Sequence, residues 1–190
     1  MLWLGTSIGV AASHDDGDDE LPDVVPRYLL MDPRGKAVTS EDFRGRFQLV
    51  AFGFTSCPDV CPTTLLEMKQ ILETLGDKAR RLQPVFITVD PERDTAEVLR
   101  EYTGAFHPAI LGLTGKPELV RRAADHFKVR YQKVREPGAP PQSYTMDHTA
   151  GMFLVGPDGR LLAKFAYATP AADIAGRIEA LMEESGRRRR

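Results

Sequence analysis

The feature that most constrains the fold is a repeated order of apolar strand and amphipathic helix between residues 47 and 127. The runs "FQLVAFGFT" (47–55), "PVFITVD" (84–90) and "AILGLT" (109–114) predict strands, and the first is apolar enough to be buried on both faces. After the first strand, apolar residues recur at helical spacing, namely Leu65, Met68, Ile71, Leu72 and Leu75. Strand, helix and strand in this order form parallel β-α-β crossovers, so we predict an α/β fold.

The rest of the chain adds hairpins and a closing helix to this core. Residues 27–40 predict two short strands joined by a turn, and residues 129–134 and 144–156 predict strands around a Pro- and Gly-rich loop. A turn at 157–160 leads into a further strand, and Thr169, followed by proline, opens the last helix. This order predicts a thioredoxin-like α/β sandwich with an N-terminal β-hairpin and an inserted hairpin or loop.

Capping residues mark the ends of the predicted helices. Asp94, with Glu97 three residues later, has the pattern of a capping box, so we expect Asp94 to be the N-cap of a helix. Thr114 is expected to cap the next helix, which runs to about Phe127. Gly76 is expected to end the first helix, because glycine adopts the conformation that closes helices.

Composition indicates one domain with a tail at each end. The chain has 190 residues, of which 42% are hydrophobic and 27% charged, as in a single globular domain. We predict a leader or tether over residues 1–25, a domain over 26–185 and a basic tail over 186–190. A net charge of -2 gives no electrostatic basis for nucleic-acid binding, and we expect a monomer.

The opening segment "MLWLGTSIGVAAS" (1–13) is apolar but shorter than the ~20 residues that a membrane-spanning helix needs. It also lacks the Lys or Arg of a complete signal peptide. Two interpretations stay open: the remainder of an export signal or membrane anchor, or an apolar tail. We favour the first, because the acidic stretch that follows resembles a tether.

Both cysteines, Cys57 and Cys61, lie in "FGFTSCPDVCPTT" (52–64), where the first central strand meets its helix. Pro62 suits the first turn of that helix, and a spacing of four residues places side chains on one helix face. The N-terminal end of a helix dipole lowers the pKa of a thiol and favours the thiolate. We therefore predict a metal-binding or redox-active pair. The alternative, two inert buried cysteines, fits poorly with the turn-forming residues around them.

A metal held by two thiolates needs a further ligand, and the chain offers four histidines: His14, His107, His126 and His148. The first lies in the leader, and the next two lie near helix ends. His148 lies beside a strand of the predicted sheet; alone it would more commonly be structural, but we favour it as the partner of the cysteines. Two sulfurs and one imidazole suit Cu(I), or Cu(II) with an added weak ligand. Structural zinc and iron–sulfur sites normally have four ligands, so copper is preferred.

Four segments, in this order, resemble the Sco/SenC family of copper proteins: "GFTSCPDVCPTTL", "TVDPERDT", "GLTGKPELV" and "DHTAGMFLVGPDGRLL". The resemblance runs from about Pro26 to the final helix, and the "CPDVCP" and "DHT" segments carry it most specifically. It implies a thioredoxin-like fold and copper bound by Cys57, Cys61 and His148.

The resemblance also implies delivery of copper to the dinuclear Cu-A site of cytochrome c oxidase, or reduction of the cysteines of that site. The implied partners are cytochrome c oxidase subunit II or another apo-cuproprotein, with other copper chaperones or thiol reductants. Family members usually lie at the periplasmic or outer face of an energy-conserving membrane, held by an N-terminal helix or a lipid. This chain departs from that pattern, since only about a dozen apolar residues open it and no lipobox cysteine is present.

Three aspartates lie in or beside the segments that carry the resemblance. Asp94 is the predicted helix cap described above. Asp90 ends a predicted strand, and its role is open between the metal site and a partner. Asp147 precedes His148 and is a candidate for orienting the imidazole or for partner docking.

The competing interpretation is an enzyme, a thiol-disulfide oxidoreductase with Cys57 and Cys61 as its catalytic pair. The position of the thiols and the predicted fold permit it. The three-residue spacing argues against it, as does the lack of the proline that thioredoxin-like reductants carry opposite the dithiol. A peroxidase fits less well, since "FGFTSC" lacks the proline of peroxiredoxins, and a sensor has no specific support. The leading prediction is therefore a copper metallochaperone.

Overall fold

The structure is a computed structural model that describes residues 24–140 and 143–188. In chain order, its helices and strands are β1 (Leu29–Met31), β2 (Ala37–Thr39), β3 (Phe47–Gly53), α1 (Val60–Leu75), β4 (Leu82–Thr88), α2 (Ala96–Phe106), β5 (Leu111–Leu113), α3 (Pro117–His126), β6 (Tyr131–Val134), β7 (Thr145–His148), β8 (Met152–Val155), β9 (Leu161–Phe165) and α4 (Ala171–Arg188). Short 3-10 helices at Ser40–Phe43 and Gly76–Arg81 complete the elements.

A five-stranded sheet in the order β5-β4-β3-β8-β9 forms the centre of the fold. β3, β4 and β5 are parallel, as the predicted crossovers require, whereas β8 and β9 are antiparallel to their neighbours. All seven residues of β3 are buried, because β3 pairs on both edges and is covered on both faces. The predicted α/β sandwich is confirmed, and the segment with the cysteines follows the carboxyl end of its central strand.

Helices cover both faces of this sheet. The side chains of consecutive strand residues point to opposite faces of a sheet. Phe52 and Gly53, which are consecutive in β3, therefore face opposite sides of the central sheet. Phe52 packs against Phe127 at the end of α3, with ring centroids 5.4 Å apart, whereas Gly53 lies against the Cys61 sulfur of α1. α1 in turn packs against α2 and α4. The sheet therefore separates α3 from the other three helices.

Two helices start at positions other than the predicted ones. The N-cap of α2 is Thr95, whose hydroxyl oxygen accepts a first-turn N–H at 3.3 Å, so the prediction that Asp94 caps this helix is wrong. Asp94 is displaced from that role because its carboxylate is buried among other donors. α3 begins at Pro117 with Lys116 as its N-cap, and Thr114 instead donates its hydroxyl to the Asp94 carbonyl at 2.9 Å.

Residues 144–156 form two strands, although the apolar pattern predicts one. β7 pairs antiparallel with β6 in a separate two-stranded sheet, and β8 joins the central sheet. Gly151, with a φ of 116°, lies between them, and a side chain there would start 2.4 Å from the Phe165 carbonyl oxygen. Glycine is therefore required where the β6–β7 hairpin, the predicted insertion, leaves the sheet.

The N-terminal hairpin of β1 and β2 has the predicted turn. Asp32 stabilises that turn, because its carboxylate accepts the backbone N–H groups of Arg34 and Lys36 at 2.8 and 2.9 Å. Met31 and Thr114 exchange backbone hydrogen bonds of 2.7 and 3.1 Å, which attach the hairpin to the end of β5. Gly76 ends α1 as predicted, with a φ of 51°.

The tails lie largely beyond the described residues. The apolar opening, the acidic run and His14 belong to residues 1–23, outside the described ranges. α4 continues to Arg188, and the boundaries at residues 25 and 185 stay predictions. Within residues 24–140 and 143–188, no helix is both long and apolar enough to cross a membrane.

Candidate metal centre

The two cysteines meet at the start of α1. Because α1 begins at Val60, Cys57 lies in the turn before the helix. Its Sγ accepts the Cys61 N–H at 3.5 Å, which satisfies one of the N–H groups that a helix start leaves free. The Cys61 Sγ in turn accepts the Phe54 N–H at 3.5 Å. The cysteines are therefore neighbours through this turn, and not through the predicted shared helix face. Both are free thiols.

The Cys61 thiol is buried, with an exposed fraction of 1%. Burial raises the pKa of the Cys61 thiol, and the nearby Cys57 raises it further, while the Phe54 N–H opposes part of the effect. This direction is opposite to the predicted lowering of the thiol pKa, because loss of hydration raises the pKa of Cys61 more than the Phe54 N–H lowers it. Cys61 will lose its proton when a metal cation or a base stabilises the thiolate.

His148 completes a pair with Cys61. Its Nε2 lies 3.6 Å from the Cys61 Sγ, and its Nδ1 lies 3.0 Å from the Thr149 carbonyl oxygen. A carbonyl can only accept a hydrogen bond, so Nδ1 carries the ring proton and Nε2 presents a lone pair to the cysteine. Phe54 packs edge-on against the imidazole, with ring centroids 6.0 Å apart. The imidazole is thus held in a tautomer that suits a metal ligand.

The spacing of this pair fits a shared metal ion. Sulfur and nitrogen ligands at about 2.3 and 2.0 Å from one metal are roughly 3.7 Å apart at a trigonal angle, close to the 3.6 Å between the Cys61 Sγ and the His148 Nε2. Among the described residues, however, no three Cys, His, Asp or Glu side chains form a group that could hold a metal ion as they stand. A three-ligand site would therefore require a side-chain movement, and of the two cysteines Cys57 is the less buried.

The other candidate residues lie elsewhere. His107 follows α2, where its Nδ1 accepts the Ala109 N–H at 3.1 Å, and His126 is exposed at the end of α3. Asp147 is exposed, and the partner of the imidazole is the Thr149 carbonyl rather than the Asp147 carboxylate. A role for Asp147 in partner docking stays a prediction.

Asp94 supports the cysteine segment from inside the protein. Its buried carboxylate accepts the Thr55 N–H at 3.0 Å, the Thr55 hydroxyl at 2.6 Å and the Thr88 hydroxyl at 2.6 Å. Burial raises the pKa of Asp94, and the hydroxyl donors offset part of that rise. This carboxylate therefore joins the start of the cysteine turn to the end of β4. The local sequence pattern fits a helix cap equally well, so it does not reveal this role.

A second buried carboxylate, Asp90, faces the β6–β7 hairpin. Asp90 forms an ion pair with Arg93 and accepts the Tyr144 hydroxyl at 2.9 Å. Arg93 also donates to the Tyr144 carbonyl at 3.0 Å and lies over the Tyr144 ring. The sequence leaves the role of Asp90 open and has no local signal for Arg93 or Tyr144, because Tyr144 is 54 residues from Asp90 and 51 from Arg93.

Comparison with known proteins identifies the family. The SCO1/SenC family profile matches residues 16–183, which is most of the chain. The chain belongs to the SCO1/SenC family. This SCO1/SenC protein is 42% identical over 138 residues to an SCO2-like protein of Rickettsia felis, across 73% of this chain and 67% of that protein. The family resemblance drawn from the sequence is confirmed.

Solved structures of SCO1/SenC relatives share the fold. ScoI of Bradyrhizobium japonicum, with copper bound, matches with a TM-score of 0.75 at 36% identity, over 83% of this chain and 98% of that one. BsSco, a member of the Sco family of cytochrome c oxidase assembly proteins in which a disulfide switch was identified, matches with a TM-score of 0.65 at 26% identity. The match covers 84% of this chain and 94% of BsSco. The predicted thioredoxin-like fold is confirmed by these SCO1/SenC neighbours.

Proposed function

We propose that this protein carries copper for the assembly of cytochrome c oxidase, with Cys57, Cys61 and His148 as its ligands. The observation that carries the proposal is the contact between the Cys61 Sγ and the His148 Nε2 at 3.6 Å, with the ring proton on the opposite nitrogen. Copper in the related ScoI structure supports the choice of metal. The copper is cargo, and its recipient is the Cu-A site on subunit II of the oxidase or another apo-cuproprotein.

The donor set suits transfer as well as binding. Two thiolates and one imidazole favour Cu(I), and the same set accepts Cu(II) when a weak ligand is added. Because thiols must lose their protons to bind a metal, binding releases protons and strengthens as pH rises. Cys57 is the more accessible of the two sulfurs. A thiolate of the recipient will therefore displace Cys57 first and draw the copper out by ligand exchange.

The proposed recipient determines where in the cell this protein would act. We propose that residues 26–185 form the copper-binding domain, which residues 1–25 tether at the periplasmic or outer face of an energy-conserving membrane. Residues 186–190 form the proposed basic tail. Other copper chaperones or thiol reductants would load and reduce the site.

Titration of the reduced protein with Cu(II) tests the ligand set. We expect sulfur-to-copper charge-transfer absorption and one electron paramagnetic resonance signal at one equivalent. His148→Ala should abolish both features or weaken binding at least tenfold, because one of three ligands is lost. His107→Ala and His126→Ala are matched controls that should bind copper as the wild type does. An unchanged spectrum and affinity in His148→Ala would refute the assignment.

A thiol-disulfide oxidoreductase is the second candidate, favoured by the 3.5 Å contact between the Cys57 sulfur and the Cys61 amide. The disulfide switch of BsSco supports it. In this reaction the Cys57 thiolate attacks a target disulfide and forms a mixed disulfide. Cys61 then displaces the target thiolate and forms the Cys57–Cys61 disulfide, so two electrons and two protons pass to the target.

Trapping of a mixed disulfide distinguishes the metallochaperone from the thiol-disulfide oxidoreductase. Cys61→Ser should accumulate a mixed disulfide between Cys57 and an oxidised Cu-A domain if reduction is the main activity. A protein that binds copper stably and yields no mixed disulfide is a metallochaperone. Oxidation of the dithiol by Cu(II) without a stable complex would favour the reductase.

A further inference from the structure

The β6–β7 hairpin, which ends in His148, lies outside the hydrogen-bonded strands of the central sheet. Among the described strands, β6 and β7 pair with each other in a two-stranded sheet and not with the five-stranded one. The connection from His148 to β8 passes through Gly151, where the backbone has a positive φ. Contacts of side chains with the rest of the protein therefore decide where the hairpin places His148.

One set of such contacts, which we call the clasp, consists of Asp90, Arg93 and Tyr144. Arg93 Nη1 donates to the Tyr144 carbonyl at 3.0 Å, and its guanidinium carbon lies 3.9 Å from the centroid of the Tyr144 ring. The Tyr144 hydroxyl donates to Asp90 at 2.9 Å, and Arg93 Nε pairs with the other Asp90 oxygen. The Asp90 carboxylate is fully buried, and hydrogen bonds to charged partners are the stronger kind.

Arg93 also faces the cysteine side of the site. Its guanidinium carbon lies 5.9 Å from the centroid of the Phe54 ring. Phe54 packs edge-on against the His148 imidazole, and its backbone N–H points to the Cys61 sulfur at 3.5 Å. Arg93 therefore contacts both the hairpin and the aromatic ring that lies beside the Cys61–His148 pair.

Another hydrogen bond from the hairpin is more exposed. Lys133 donates to Glu92 at 2.6 Å, but the Glu92 side chain is largely exposed, and ion pairs of this kind contribute little. Met146 is the buried residue of β7. Its side chain is apolar, so its packing does not fix the orientation of the hairpin as directional hydrogen bonds do. Among these contacts, the clasp is the one built on a fully buried charged group, the Asp90 carboxylate, and its hydrogen bonds to Tyr144 are partly buried.

We propose that Arg93 and Tyr144 are positioning residues, which act through the hairpin to hold the His148 Nε2 against the Cys61 sulfur. The consequence for copper rests on the proposed function, whereas the positioning itself does not require a metal. When the clasp opens, the imidazole leaves the site and the two cysteines stay in place. The clasp therefore sets whether copper has three protein ligands or two.

Amide hydrogen exchange of the reduced, metal-free protein tests the positioning. Arg93→Met should speed exchange of the β6 and β7 amides about tenfold or more relative to those of β8, because local opening governs their protection. Tyr144→Phe, which removes only the bond to Asp90, should give a smaller change in the same amides. Arg81→Met is the matched control, since Arg81 lies 5.8 Å from the centroid of the Phe47 ring and donates to the Met182 carbonyl at 3.3 Å. It should leave the hairpin unchanged.

Unchanged exchange of the hairpin in Arg93→Met would overturn the proposal. If Arg93→Met loosens the whole domain, Tyr144→Phe decides: faster exchange confined to the hairpin supports the clasp, and unchanged exchange overturns it. Copper affinity then tests whether Arg93 affects copper binding by positioning His148, which we call the route through His148. Arg93→Met should weaken copper binding in the wild-type background and have no further effect in His148→Ala. Additive losses would overturn that route. A wild type that binds no copper would refute the proposed function, while the exchange comparison would still decide the clasp.

Discussion

Substitution of Gly53 by alanine should disturb the cysteine site through steric contact alone. A Cβ at this position would lie 2.7 Å from the Cys61 Sγ and 2.8 Å from two ring carbons of Phe86. Ordinary contacts of this kind are about 3.5 Å or longer, so the sulfur must move by roughly 0.8 Å. Cys61 and Phe86 are 1% and 0% exposed, and neither can turn into solvent. Because overpacking of a core typically costs 1–3 kcal/mol, we expect a loss of about 2 kcal/mol in the free energy of unfolding.

Urea unfolding of the reduced, metal-free protein measures this loss, and the copper titration shows whether the shifted sulfur still pairs with His148. The matched control is Gly176→Ala, since Gly176 lies inside α4 and a Cβ there meets no atom within 4 Å. Alanine in an open helical position should stabilise the protein by about 0.4–1 kcal/mol. Equal stability of Gly53→Ala and the wild type would show that the cysteine sulfur has more room than the structure gives it.

Two further predictions concern Asp94, whose carboxylate is bonded to the cysteine segment, and Thr95, the N-cap of α2. Burial raises the pKa of Asp94, so the folded protein holds this proton more tightly than the unfolded chain does. Its ionisation therefore reduces stability as pH rises above the ordinary carboxyl pKa of about 3.9 and through the raised value. We expect Asp94→Asn to gain stability relative to the wild type between pH 3 and pH 7 in urea unfolding, and a constant difference would contradict this. Thr95→Ala should lose about 1 kcal/mol through the missing N-cap of α2, and Thr95→Ser should restore most of it; equal stability of all three would show that the cap has no effect.

The parallel core could be predicted from sequence because its signals are local. Each central strand is a short apolar run, and the helix after β3 has its apolar residues on one face, so neither needs knowledge of a distant partner. The pairing of Cys61 with His148 also has a sequence signal, since two thiols at a strand end would need a further ligand to hold a metal ion. The contact between their side chains is consistent with that prediction.

The roles of Asp94 and Arg93 could not be predicted in the same way. A carboxylate three residues before a glutamate has the same local pattern whether it caps a helix or accepts bonds from a buried loop. The partner of Asp94 at Thr55 is 39 residues away, and the partner of Arg93 at Tyr144 is 51 residues away. Which donor reaches a buried carboxylate is decided by tertiary packing, and that information is not contained in any short segment.

The two cysteines differ in a way that bears on both proposed activities. Cys61 is buried, its pKa is raised, and its sulfur already contacts an imidazole whose tautomer is set by a backbone carbonyl. Cys57 is half-buried and lies in a turn before the helix. Copper transfer needs one ligand that a recipient thiolate can displace, and disulfide exchange needs one sulfur that can attack while the other resolves. The same asymmetry meets both needs. Both activities must therefore remove the Cys61 proton: copper binding releases it to solvent, whereas formation of the Cys57–Cys61 disulfide passes it to the target.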